Sequence, residues 1–155
     1  MYKNIVVPLD GSELAECVLP HVETVTRGCK SPPKVTLIRV VEPLHLYGGL
    51  ESRFSSEERQ RVENEGINVA RSYLDQIANQ LKAKGITAKS EVLHGDAINT
   101  LVDYMNEKEI DLVVIASHGR SGISRWVWGS VADRIIRSSC VPVLMVRAPG
   151  CVSGI

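Results

Sequence analysis

Short apolar runs rich in β-branched residues alternate along this chain with longer stretches in which apolar residues recur every three or four positions. Residues 4–9 (NIVVPL), 35–41 (VTLIRVV), 111–116 (DLVVIA) and Val141 to Val146 (VPVLMV) are nearly continuous in apolar character. That is the signature of strands buried on both faces of a parallel sheet. Residues 87–93 instead alternate polar and apolar side chains, as a half-exposed edge strand does. Pro8 lacks a backbone donor and belongs where the first strand ends.

Between these runs the period changes to that of a helix. Ser12 is positioned to cap a helix whose buried stripe is Ala15, Val18, Leu19, Val22 and Val25, with a kink or a reset expected at Pro20. Residues 30–34, with Pro32 and Pro33, make the turn into the second strand. Residues 42–55 carry Pro43, Gly48 and Gly49 without periodicity, and loops of this length either cover a site or are simply mobile. Ser55 and Glu58 form a capping-box signature for a long helix with the stripe Val62, Val69, Ala70, Tyr73, Leu74, Ile77 and Leu81, ended by Gly85. Gly95 and Asp96 open a shorter helix carrying Ile98, Leu101, Val102 and Met105. A last helix runs from Gly129 or Ser130 to about Ser139.

Strands alternating with helices predict an α/β fold: a five-stranded parallel sheet, Rossmann-like, with helices on both faces. Right-handed crossovers give the strand order 3-2-1-4-5. Direction then reverses between the first and fourth strands, and ligands in such sheets bind beyond the carboxyl ends of the strands at that point. The loops placed there, residues 10–12 and 117–129, are the ones richest in glycine, serine and charge.

Composition narrows the function. With 155 residues the chain fits one domain, taken as residues 1–147 with a tail at 148–155; 44% hydrophobic and 23% charged residues suit a globular core. Eighteen basic residues balance eighteen acidic ones, so no overall field draws a nucleic acid. No apolar run reaches the roughly 18 residues that span a bilayer, and the opening MYKNIVVPLD lacks the features of a secretory leader. Cys17, Cys29, Cys140 and Cys151 show no regular spacing, which suits free thiols in the cytoplasm. The four histidines are scattered, which argues against a zinc site.

Chemistry concentrates in the loop Ser117-His118-Gly119-Arg120-Ser121-Gly122, which leaves a buried strand, and in Gly129-Ser130, which opens a helix. Phosphate binding needs close backbone approach, convergent N–H donors and positive potential; glycines and a helix N-terminus supply all three. Arg120 and Arg125 add charge. A mobile loop with Ser130 capping its helix through Asp133 accounts for the same residues. Asp10 is suited to accept from ribose hydroxyls, to hold a divalent ion, or to accept backbone N–H groups at the start of its helix. His118 has no carboxylate at a recognisable spacing, Trp126 and Trp128 read as packing residues, and Arg39 reads as a surface or dimer residue.

The arrangement strand, S-H-G, nine residues, G-S, helix, V-P-V-L-M-V resembles the universal stress protein family, whose ATP-binding branch carries Gly-x2-Gly-x9-Gly-Ser/Thr. Gly119 and Gly129 match the second and third glycines, and Ser130 the final position; the opening I-V-V-P-L-D-G-S is similar to the family's first strand and turn. The resemblance runs from Lys3 to Arg147. It implies an ATP-binding regulatory or stress-response homodimer, not an enzyme, with the phosphates on Gly119, Gly129 and Ser130. Adenine and ribose would lie near Pro8, Leu9, Asp10, Val40 and Ile115, with Val131 beside the phosphates and a magnesium or manganese ion as an option at Asp10. The first glycine of the motif is Ala116 here. Its methyl is expected to crowd the nucleotide and weaken binding, so Ala116→Gly should tighten it. A family member acting through protein contacts alone is the alternative, and an adenylyl-transferring enzyme would call for S-G-G-x-D-S where this chain has L-D-G-S-E-L. The homodimer is expected through the last strand, an almost wholly apolar edge that requires pairing or cover; the regulated protein partner is not legible.

Overall fold

The computed structural model describes residues 2–43, 55–117 and 130–147. In chain order these form β1 (Asn4–Pro8), α1 (Glu13–Glu16), α2 (Leu19–Gly28), β2 (Lys34–Val41), α3 (Ser56–Ala83), β3 (Ala88–His94), α4 (Ala97–Glu107), β4 (Leu112–Ser117), α5 (Ser130–Ser138) and β5 (Val143–Arg147). All the strand pairings are parallel, in the order β3-β2-β1-β4-β5. The predicted architecture is the observed one.

Strand alternation divides the core into two clusters. Ile5, Val7, Val35, Leu37, Leu112, Val114 and Ala116 face Ala15, Val18 and Val22 and, from α3, Leu74, Ile77 and Leu81. Val6, Ile38, Val113 and Ile115 face Leu101 and Met105 of α4 and Ala132 and Ile135 of α5. The central strands are therefore apolar at consecutive positions because both of their faces are covered. Ile5, Val6, Val7, Val113 and Val114 have no exposed surface, and each buried aliphatic side chain of this size contributes about 1.5–3 kcal/mol. At the sheet's outer edge β3 is only partly covered, with Ala88 alone fully buried; it does not alternate as expected, because residues 90–93 are all half-buried and Val92 and Leu93 pack on opposite faces.

Three expectations need correction. The chain's first helical stretch is two helices: it breaks at Cys17 and Val18, and Pro20 sits in the first turn of α2, where its missing N–H costs nothing. In α3, Val62 and Val69 are 49% and 57% exposed. Residues 63, 66 and 67 take the inward positions there instead. At 28 residues, about 42 Å long, α3 outruns the strands beneath it. Its buried residues, Ala70 to Leu81, all lie beyond the first half, so its opening turns overhang the sheet. Finally, β5 begins at Val143 and not at Val141, because Pro142 supplies only its carbonyl, to Val113 N–H at 2.9 Å.

Candidate functional site

β1 and β4 run side by side only at their start. The ladder joins Ile5 to Leu112 and Val6 to Val113. Beyond that, β1 stays with β2 as far as Pro8 opposite Ile38, and β4 stays with β5 as far as Ser117 opposite Arg147. The β1–β4 pairing thus ends short of the carboxyl ends of the strands, at the predicted reversal of strand order.

The expected site residues divide around it. Val40, Ile115 and Val131 pack into the cluster shared with α4 and α5, Ile115 only 6% exposed and the other two half-buried. They make one apolar wall. Pro8 is half-buried at the end of β1, and Leu9 extends the strand by donating its N–H to Ile38 O at 2.8 Å. Leu9 and Ala116, however, have their side chains in the opposite cluster, beneath α1 to α3. The Ala116 methyl is thus turned away from the wall formed by Val40, Ile115 and Val131, and its expected crowding of a ligand loses its geometric basis. Gly119 and Gly129 lie outside the described residues, as does the side chain of Ser130, whose backbone begins α5.

Asp10 occupies the exposed turn after β1. Its Oδ1 accepts from Ser12 N–H at 2.8 Å and from the Ser12 hydroxyl at 2.6 Å, while Ser12 Oγ accepts Ala15 N–H at 3.1 Å. Asp10 therefore orders the cap of α1, one of the roles its sequence position allows. Among the described residues, no group of three histidine, cysteine, aspartate or glutamate side chains could hold a metal ion. A magnesium or manganese ion beside Asp10 would draw most of its ligands from phosphate and water, as magnesium usually does.

Sequence reasoning missed the support beneath this turn. Gly11 has φ +89°, open to glycine and costly for other residues. The Arg39 guanidinium lies flat against it: a β-carbon at Gly11 would sit 2.9 Å from Nη1, 3.0 Å from Cζ and 3.2 Å from Nη2. The same guanidinium lies over the Tyr73 ring, Cζ 5.5 Å from its centroid, a cation–π contact. Tyr73 Oη donates to Glu16 Oε1 at 3.0 Å. Burial, that hydrogen bond and the charges of Glu16 and Asp10 push the Tyr73 phenol well above its usual range, and Arg39 opposes them. Arg39 is thus a half-buried strut linking β2, α3 and the turn, which corrects the surface half of the expected surface or dimer role. An arginine inside an otherwise apolar strand was the available signal.

No helix among the described residues is long and apolar enough to cross a membrane. The model of the universal stress protein family matches residues 1–147. Universal stress protein MJ0531 of Methanocaldococcus jannaschii is 30% identical over 149 residues, covering 96% of this chain and 84% of the relative. The solved structure of MJ0577, from the same organism, superposes with a TM-score of 0.79 at 26% identity, covering 97% of this chain and 99% of that one. A universal stress protein solved in complex with cAMP shares the fold, with a TM-score of 0.66 at 23% identity over 95% and 98% of the two chains. Two-layered helical cover, strand order and these matches lead to one assignment: the chain belongs to the universal stress protein family.

Proposed function

We propose that this chain binds ATP in the crevice where β1 and β4 separate and acts as a cytoplasmic regulatory or stress-response homodimer. The carrying observation is the early end of the β1–β4 ladder at Val6 and Val113. It leaves an apolar wall, Val40 and Ile115, suited to a flat base, next to Asp10 for the ribose or a metal-bound phosphate. Gly119, Gly129 and Ser130 match the family's phosphate motif. The relative solved with cAMP supports a ligand built of adenine, ribose and phosphate. The described cysteines, Cys17, Cys29 and Cys140, are free thiols, which fits a reducing compartment. The balanced charge offers nothing for a nucleic-acid partner. Residues 148–155, the proposed tail, lie outside the described residues.

Titration calorimetry should show ATP binding at micromolar affinity or weaker, and Gly129→Val should abolish it by filling the phosphate position. Unchanged affinity in that variant would put the site elsewhere. An absence of wild-type binding would leave action through protein contacts alone. Hydrolysis is negligible in this reading: attack on a phosphate needs a positioned base, and His118 has no carboxylate partner at a recognisable spacing in the sequence. Phosphate release near the enzyme median of about 10 per second would overturn it.

A further inference from the structure

The turn between α2 and β2 and the turn between α3 and β3 meet at the amino-terminal end of the sheet, the end opposite the nucleotide site proposed above. Val35 N–H donates there to Thr87 O at 2.8 Å. Thr26, Arg27, Cys29, Pro32, Lys84 and Ile86 are among the residues that line an open cavity of about 220 Å³ between the two turns. A closed cavity of roughly 150 Å³ takes up benzene, so this one has room for a single aliphatic side chain. Positive charge gathers around its mouth. Residues 24–34 and 76–88 carry Arg27, Lys30, Lys34, Lys82 and Lys84, all exposed, and no acidic residue. Glu23 joins Lys84 directly and Arg27 at 3.7 Å, and the carboxyl ends of α2 and α3 each add about half a negative charge. Together these offset about two of the positive charges, so helix capping does not account for the patch. The whole chain is neutral; the excess here is a local field on a molecule whose remainder is net negative.

We propose that this end of the molecule docks an acidic segment of a partner protein, with carboxylates on the exposed lysines and one aliphatic side chain in the cavity. Two observations favour a peptide over a phosphate or a nucleic acid. Both helices present carbonyl groups to this end, not the N–H groups on which compact phosphates sit, whereas flexible lysines reach carboxylates spaced along a chain. Among the described residues that line the cavity none is aromatic, so a base has nothing to stack on. Pro32, Pro33 and Ile86 make part of the lining apolar instead. The patch lies by β2 and β3, across the sheet from β5, so it stays open in the proposed homodimer, and it does not depend on the nucleotide reading.

The test is fluorescence anisotropy at low salt with a labelled peptide in which glutamates flank one central leucine. Wild type should bind it and should not bind the same peptide with glutamine in place of glutamate; a wild type that leaves the acidic peptide unbound overturns the proposal outright. Lys30→Glu combined with Lys34→Glu should weaken the acidic peptide by roughly tenfold, the scale of several exposed ion pairs. Arg61→Glu with Arg134→Glu makes the same change in net charge at exposed positions of α3 and α5, and should leave affinity within about twofold because distant charges are screened. Alanine in place of the leucine should weaken binding several-fold through lost burial. Equal losses in the two charge variants would reduce the effect to net charge and overturn the proposal, as would unchanged affinity for the alanine peptide. Inorganic phosphate or a single-stranded oligonucleotide binding wild type more tightly than the peptide, and losing that affinity with Lys30→Glu and Lys34→Glu, would overturn it in favour of a phosphate ligand. If the double variant does not fold, Lys82→Glu decides: unchanged peptide affinity there overturns the proposal. None of these outcomes bears on ATP binding, which calorimetry reads separately.

Discussion

At the scale of single residues, the side of the sheet to which a side chain points decides what it can do. Ala116 and Ile115 are neighbours in β4, yet Ile115 faces α4 and α5 while Ala116 belongs to the cluster beneath α1 to α3 and is 5% exposed. Spacing in the sequence identified Ala116 as the departure from the glycine motif but could not say which way its methyl pointed. With the methyl in the core, Ala116→Gly should leave ATP affinity unchanged. It should cost about 1–2 kcal/mol of stability, from lost burial of one methyl and the greater chain entropy of glycine. Urea unfolding and calorimetry on one preparation separate the two effects, and tighter ATP binding would show that the methyl reaches the ligand after all. Arg39 teaches the complementary lesson. Its role depends on Gly11 and Tyr73, which are distant in sequence, so no local pattern revealed it.

At the scale of elements, the strands are aligned by polar contacts at their entrances. Asp111 Oδ2 accepts the N–H groups of Asn4 and Lys3, each at 2.8 Å, and Asp111 N–H donates to Asn4 O at 2.9 Å. The hydrogen bonds from Asn4 and then Lys3 hold the Asp111 carboxyl below its usual range. The native state therefore takes up this proton at a lower pH than the unfolded chain does. The stabilisation is fully present above the unfolded value of about 4, and it is lost as pH falls through the depressed native value. Asp111→Ala should cost about 1 kcal/mol at neutral pH, a modest figure because the bonds are largely solvated. It should also flatten the acid limb of the stability curve below about pH 4. Identical pH profiles for variant and wild type would remove Asp111 as the clasp. Most elements were legible from period and caps: the Ser55–Glu58 box is formed reciprocally, at 3.1 and 2.7 Å, and Asp96 caps α4 through Asn99 N–H at 2.8 Å. The misread stripe at Val62 and Val69 has a physical source. Here Glu63, Gly66 and Ile67 take the inward places, Gly66 toward Val41 and Glu63 toward His94, so a polar residue and a glycine face the strands where the apolar pattern pointed to the valines.

At the scale of the whole molecule, the two sheet edges are unlike. β3 carries Lys89 and Glu91, joined at 2.8 Å, charges that discourage pairing with another chain. At the other edge β5 presents Val143, Leu144 and Met145, all half-buried, and Ile136 of α5 is 44% exposed. The proposed homodimer uses this apolar edge, with Val143 and Met145 set against their copies about a two-fold axis. Leu144→Lys should then sediment as a folded monomer at micromolar concentration. A variant that stays dimeric, or a wild type that is already monomeric, would exclude β5 as the interface.

The splayed ladder has a consequence in time as well as in space. β1 meets β2 after a short crossover, but its other neighbour is β4, with Ile5 opposite Leu112. A half-sheet of β1, β2 and β3 can assemble once His94 has been made, leaving one flank of a wholly apolar strand open until residue 112 follows. At ribosomal rates of about 5–20 residues per second, that interval lasts roughly one to four seconds. Hydrophobic collapse is far faster than this. The nascent chain therefore waits with an unpaired strand at its centre until β4 closes that seam, and β5 with Val143 and Val146 completes the core after it.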